Sequence, residues 1–165
     1  MLTIDATVAG TTSNSFQTLD EAEAYFATVL PALKPNWTAA GDEEKKTALI
    51  SACSRLERYR YNGERTTRTQ RLKFPRCGIW TLDLDALDER TIPRVMKEAQ
   101  CELAEYMLGQ IAPVSSSLDR FEEIKLPGGL SIKPRFQSGS SDDLPARVSE
   151  LLNDLLLSGS SLIRA

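Results

Sequence analysis

The 165-residue chain contains no histidine. The commonest general base and the commonest transition-metal ligand are therefore missing together. Serine–histidine and cysteine–histidine nucleophile systems are excluded in their usual form. Cysteine is scarce as well: Cys53, Cys77 and Cys101 stand 24 residues apart with no CxxC among them. Neither a zinc site nor a redox pair is expected from that spacing, and an odd count suits a reducing compartment better than a disulfide scaffold. No apolar run approaches the roughly 20 residues that cross a bilayer. The N-terminus also lacks the basic-then-apolar pattern of a secretory signal. These absences predict a non-enzymatic protein with no cofactor, no metal and no membrane partner, used in the cytosol or in a particle assembled there.

What is present is ordinary for a globular domain, with 41% hydrophobic and 26% charged residues. The formal charge of −3 argues against a surface built throughout for DNA but leaves room for a local basic patch. Residues 1–17 are Thr- and Ser-rich and read as an N-terminal arm. "TLDE" then offers a capping box between Thr18 and Glu21, followed by Leu19, Ala22, Phe26 and Val29 at helical spacing. "PALKPNWTAAG" reads as a loop. Asp42 is placed to cap a second helix that runs toward Asn62-Gly63, with Leu49, Ala52, Leu56 and Tyr59 on one face. Residues 64–91 read as irregular. A third helix starts near Pro93, shows Met96, Ala99, Leu103 and Tyr106, and is expected to end at Gly109 and Pro113.

The helical core is thus expected over 18–109, and 110–144 is a long loop. Within it, "EIKLPGGLSIK" alternates Ile124 and Leu126, then Leu130 and Ile132, around Pro127-Gly128-Gly129, the pattern of a β-hairpin. A lone hairpin is marginal in water and wants a partner surface. Residues 145–165 are a C-terminal helix and tail; Val148, Leu151, Leu152, Leu155 and Leu156 suit the core or a partner's groove equally. The predicted fold class is mainly α: a small four-helix bundle-like domain with a β-hairpin in a long loop and a tethered C-terminal helix.

Charge is strongly patterned. From Arg55 to Arg76 eight cations face two anions, whereas from Cys77 to Glu105 seven anions face three cations. Three readings of the basic run stand side by side. It can contact phosphates with Tyr59, Tyr61 and Phe74 as stacking platforms; it can be a solvated face; or it can meet an acidic partner surface. Asp83, Asp85, Asp88 and Glu89 have carboxylates enough for Mg²⁺ or Ca²⁺, but the glycine and later glutamate of an EF-hand loop are missing. A solvated acidic loop is the simpler reading.

The succession "NSFQTLDEAEAYFA", Trp37, "KKTALISACSRLERY" and "QRLKFPRCG" resembles the head–tail connector (adaptor, head-completion) proteins of tailed bacteriophages, with Phe74 where that family more often has tryptophan. The resemblance implies a virion protein at the head–tail interface, assembled in the host cytoplasm. It implies a homo-oligomeric ring, dodecameric in that family, bound to the portal protein and to neck or tail-completion proteins. Double-stranded DNA would pass through its channel without sequence-specific binding. Interface candidates on this reading are Arg65, Arg68, Arg71, Phe74 and Arg76 against Asp83, Asp85, Asp88 and Glu89 of a neighbour. Ile124, Leu126, Leu130, Ile132, Leu151 and Leu155 would serve further subunit or portal contacts. Related sequences are also described as primosome-type single-stranded-DNA-binding proteins, which implies the second reading, a replication accessory protein.

Overall fold

A computed structural model describes residues 2–80, 86–111, 124–125, 131–132 and 144–156. The architecture is mainly α, with five helices and short two-stranded ladders among the described residues. Helix α1 (Leu19–Thr28) begins at the expected capping box: the Glu21 amide donates to Thr18 Oγ1 at 3.2 Å, and the Thr18 amide donates to the Glu21 carboxylate at 2.9 Å. It buries Ala22 and Phe26 and stops before Pro31. The "PALKPNWTAAG" segment is not a plain loop. It forms a 3₁₀ turn (Pro31–Leu33) and a short helix α2 (Pro35–Ala39). Pro31 and Pro35 each stand in a first-turn position, where a missing N–H costs nothing. The N-terminal amides of α2 are capped from a distance: the Glu105 carboxylate accepts from Asn36 N at 3.0 Å and from Trp37 N at 2.5 Å. Trp37 is thereby held in the core, stacked on Phe26 with ring centroids 4.4 Å apart.

Helix α3 (Asp42–Leu56) takes its cap one residue earlier than the sequence indicates, at Gly41, whose amide donates to the Glu44 carboxylate. It also ends six residues short of Asn62. Arg58 N and Tyr59 N donate to Arg55 and Leu56 carbonyls in a tightened turn, and Tyr61 folds inward to donate its hydroxyl to Leu56 O. Gly63 does take a left-handed φ of 69°, as expected of Asn-Gly, but at the entrance to a ladder. That ladder pairs β1 (Glu64–Arg65) with β2 (Arg76–Cys77), antiparallel, inside the stretch the sequence presents as irregular.

Helix α4 (Arg94–Ile111) is the central element and packs against α1, α2, α3 and α5. It runs through Gly109 rather than ending there. A side chain at 109 would meet Asn36 Nδ2 at 2.7 Å, so glycine serves close packing of α2 on α4. Strands β3 (Ile124–Lys125) and β4 (Ser131–Ile132) form the expected hairpin ladder, Ile124 opposite Ile132. Leu126, Leu130 and the Pro-Gly-Gly turn lie outside the described residues. Helix α5 (Ala146–Leu152) packs on α4 of its own domain, with Val148, Leu152 and Leu155 buried and Leu151 half-buried. Of the two homes open to this leucine-rich helix, it occupies the core.

The first residues are also tied in. Gln100 reaches from α4 to accept from Phe16 N and to donate to Ser15 Oγ and Leu49 O. Gln17 donates to Lys97 O. The preceding turn is closed by Asp5, which accepts from Thr7 N and Thr12 Oγ1.

Candidate nucleic-acid interface

The basic segment leaves α3, runs through β1, turns, and returns through β2. Its interior is built by the residues of "QRLKFPRCG". Gln70 is buried and works as a strut: its carbonyl accepts from Thr67 N at 2.9 Å, and its amide donates to Leu72 O and Pro75 O at 2.8 and 2.9 Å. Leu72, Phe74 and Pro75 are buried, and the Phe74–Pro75 peptide is cis. Phe74 meets Phe16 and Tyr61 edge-on, with centroids 6.3 and 5.0 Å away. Phe74 is therefore a core residue, not an interface or stacking residue, and the same holds for Tyr61. Tyr59 is half-buried and packs against the same core.

Two of the cations are also structural. Arg76 donates from Nε to Asn62 O at 2.6 Å, from Nη1 to Lys73 O, and from Nη2 to Tyr61 O and Gly63 O. Lys73 donates to Tyr59 O at 2.5 Å and lies 5.9 Å from the Tyr61 ring centroid. Burial pulls the Lys73 ammonium below its ordinary pKa, and Arg65, Arg76 and Arg60 push the same way. The turn that follows α5 braces the base of this loop: Asn62 N donates to Leu155 O at 2.9 Å, and Tyr61 bridges Leu156.

Between Arg60 and Arg76, the cations left for a partner are Arg60, Arg65, Arg68 and Arg71, all exposed. Arg65 sits directly opposite Arg76 in the ladder. Like charges in that position repel, and Lys73 lies within electrostatic range of both members of the pair and of Arg60. The fold thus gathers these cations around Glu57 and Glu64, which offset part of their mutual repulsion. Arg71 stands on the other flank, its amide donating to Gly10 O at 3.0 Å and its Nη1 to Thr12 O at 3.1 Å. Only part of its five-donor fork is used there. Glu57 is the carboxylate enclosed among these groups; burial raises its pKa, and its Oε1 accepts from Lys73 N at 2.8 Å.

Trp80 is not among the candidates that the sequence suggests. The residue is 64% exposed and bridges Ala86 just beyond the Gly78 turn. At no more than about 3.6 Å per residue, its Cα is within about 14 Å of Arg76. A tryptophan stranded between a basic run and an acidic one was the signal. Of the acidic candidates, Asp88 and Glu89 are exposed. The Asp88 carboxylate accepts from Arg90 N and Thr91 Oγ1, which hold it below the usual carboxylate range, and Glu89 O accepts from Thr66 Oγ1. Asp88 is spent on its own turn. Asp83 and Asp85 lie outside the described residues. Among the described residues no group of three acidic or cysteine side chains is close enough to hold a metal ion, and no helix is long and apolar enough to cross a membrane.

No curated protein and no solved structure matches the chain. A family model does, over residues 1–165, and it is described as "Putative DnaT-like ssDNA binding protein". That match overturns the resemblance to phage head–tail connectors, and with it the ring, the portal and neck partners and the double-stranded-DNA channel. The motifs behind the resemblance are those that build the loop: Gln70, Leu72, Phe74 and Pro75 face inward. The chain belongs to the family of DnaT-like single-stranded-DNA-binding proteins.

Proposed function

We propose that this protein is a non-catalytic single-stranded-DNA-binding accessory factor that engages the phosphate backbone with Arg60, Arg65, Arg68 and Arg71 and stacks bases on Trp80. The observation that carries this reading is the Arg65–Arg76 opposition, with Lys73 within electrostatic range of both and of Arg60. A fold that holds four cations together gains most from a polyanion, which replaces repulsion with attraction and releases condensed counterions. Trp80 supplies an exposed π face nearby, and every base has a face to offer it, so the binding is sequence-tolerant at that point. Stacked bases inside a duplex are not accessible in this way, which favours single strands.

Replacing Trp80 with alanine should weaken binding of a fluorescent oligothymidylate about tenfold, the lower part of the usual effect of losing one stacking platform. Because the ring is exposed, the thermal midpoint should stay unchanged. Anisotropy titrations, with a duplex of the same length as competitor, check this. Affinity unaffected by the substitution, or a duplex that competes as well as the single strand, would remove Trp80 and the strand preference from the proposal.

A further inference from the structure

Between α3 and the basic loop lies a cleft of about 260 Å³. We propose that this cleft is a nucleobase pocket that receives one unstacked cytosine of the bound strand, an inference that rests on the single-stranded-DNA reading above. At about 30 Å³ per water the space holds eight or so waters, room enough for one unstacked base.

The walls suit a flat ring with a polar edge. Ile50 and Leu72 provide apolar surface, and Cys53 forms part of the lining as a neutral thiol, its pKa pushed up to about 12 by burial. Asn14 also lines the cleft, but its amide is committed to Asp5 N and Thr3 O. Three side chains remain to read a base: Glu57, Ser54 and Arg71. Glu57 gives Oε1 to the Lys73 amide. A carboxylate has about four lone-pair sites, so acceptor capacity remains. Arg71 uses Nη1 on Thr12 O and keeps further donors. The pocket therefore presents a carboxylate acceptor, a guanidinium donor and a hydroxyl of either sense.

Cytosine matches that set. Its N4 amine donates to the Glu57 carboxylate, as carboxylates accept in base recognition, while N3 and O2 accept from Arg71. Thymine, the same size, would turn its O4 acceptor toward the carboxylate. A site that hydrogen-bonds an amine rejects an analogue that offers an acceptor in its place more strongly than a mismatch in size would. The pocket also adjoins the strand's path, since Arg71 belongs to both and Arg65, Lys73 and Arg76 act on Glu57 electrostatically.

Labelled dC and dT oligomers of equal length, titrated with the full chain above neutral pH, provide the test. The expected result is about tenfold tighter binding of the dC oligomer, the discrimination typical of one good base-edge pair. Glu57→Gln keeps a carbonyl for Lys73 N but can turn an amine donor into the cleft, so the dC-to-dT ratio should fall to about one or invert. Arg71→Lys, which keeps the charge but loses the fork, should also cut the ratio and serves if Glu57→Gln does not fold. Equal wild-type affinity for the two oligomers, or a dC preference that survives both substitutions, overturns the pocket while leaving strand binding intact. Failure to bind either oligomer overturns the strand-binding reading and the pocket together.

Discussion

Phe74→Ala should collapse the basic loop, with a loss of about 3–5 kcal/mol in unfolding free energy. The ring is 1% exposed and fills the space between Phe16 and Tyr61, the residues that join the N-terminal turn and the end of α3 to the loop. Truncation strips away that packing and leaves a cavity that the neighbouring segment, pinned by Gln70, is poorly placed to fill. For a chain of this size that corresponds to a fall in thermal midpoint of roughly 6–20 °C. Phe74→Leu, which keeps most of the volume, should lose much less. Oligonucleotide binding should weaken in step with stability, because the arginines lose their scaffold. Thermal and urea denaturation measure it. A Phe74→Ala variant with wild-type stability and weakened binding would return Phe74 to the surface as a stacking residue.

The opposite signature is expected when Arg60, Arg65 and Arg68 are changed together to serine. All three are exposed, so the fold should survive. Removing Arg65 from its place opposite Arg76 should leave the thermal midpoint unchanged or slightly higher, since a like-charge pair is relieved. Binding of single-stranded DNA should fall roughly a hundredfold at about 0.1 M salt, and the slope of log K against log salt should become shallower by about 2, at about 0.7 for each phosphate no longer neutralised. Affinity and slope retained in the triple variant would move the strand to another face. Together the two experiments separate residues that build the loop from residues that use it.

That separation also explains how far the sequence alone could be read. The helices α1, α3 and α4 were legible because their apolar spacing and caps are local properties; the Thr18–Glu21 box stands where expected. The hairpin itself was expected from the alternation in "EIKLPGGLSIK", and Ile124 pairs with Ile132 in it. Helix α2 was not legible, because its cap is Glu105, contributed from 69 residues away. The premature end of α3 was hidden for a similar reason: Tyr61 turns inward to a core that only the assembled fold provides. At the site, the basic run was visible, but the division of labour within it was not. Arg76 and Lys73 look like their exposed neighbours in sequence, yet they are consumed by backbone carbonyls of Tyr59, Tyr61, Asn62 and Gly63. Conversely, two aromatics beside the arginines in sequence, Tyr61 and Phe74, turn into the core, whereas Trp80 beyond them is exposed.

On the proposed reading, the exposed arginines hold a single strand by its phosphates. The most direct measurement is the affinity of the wild-type chain for a labelled oligothymidylate across a salt series. With four exposed arginines engaged, log K should fall linearly with log salt at a slope near −3, at about 0.7 per phosphate neutralised. A duplex of equal length should bind more weakly. No binding at the lowest salt, a slope near zero, or equal affinity for the duplex would contradict the account.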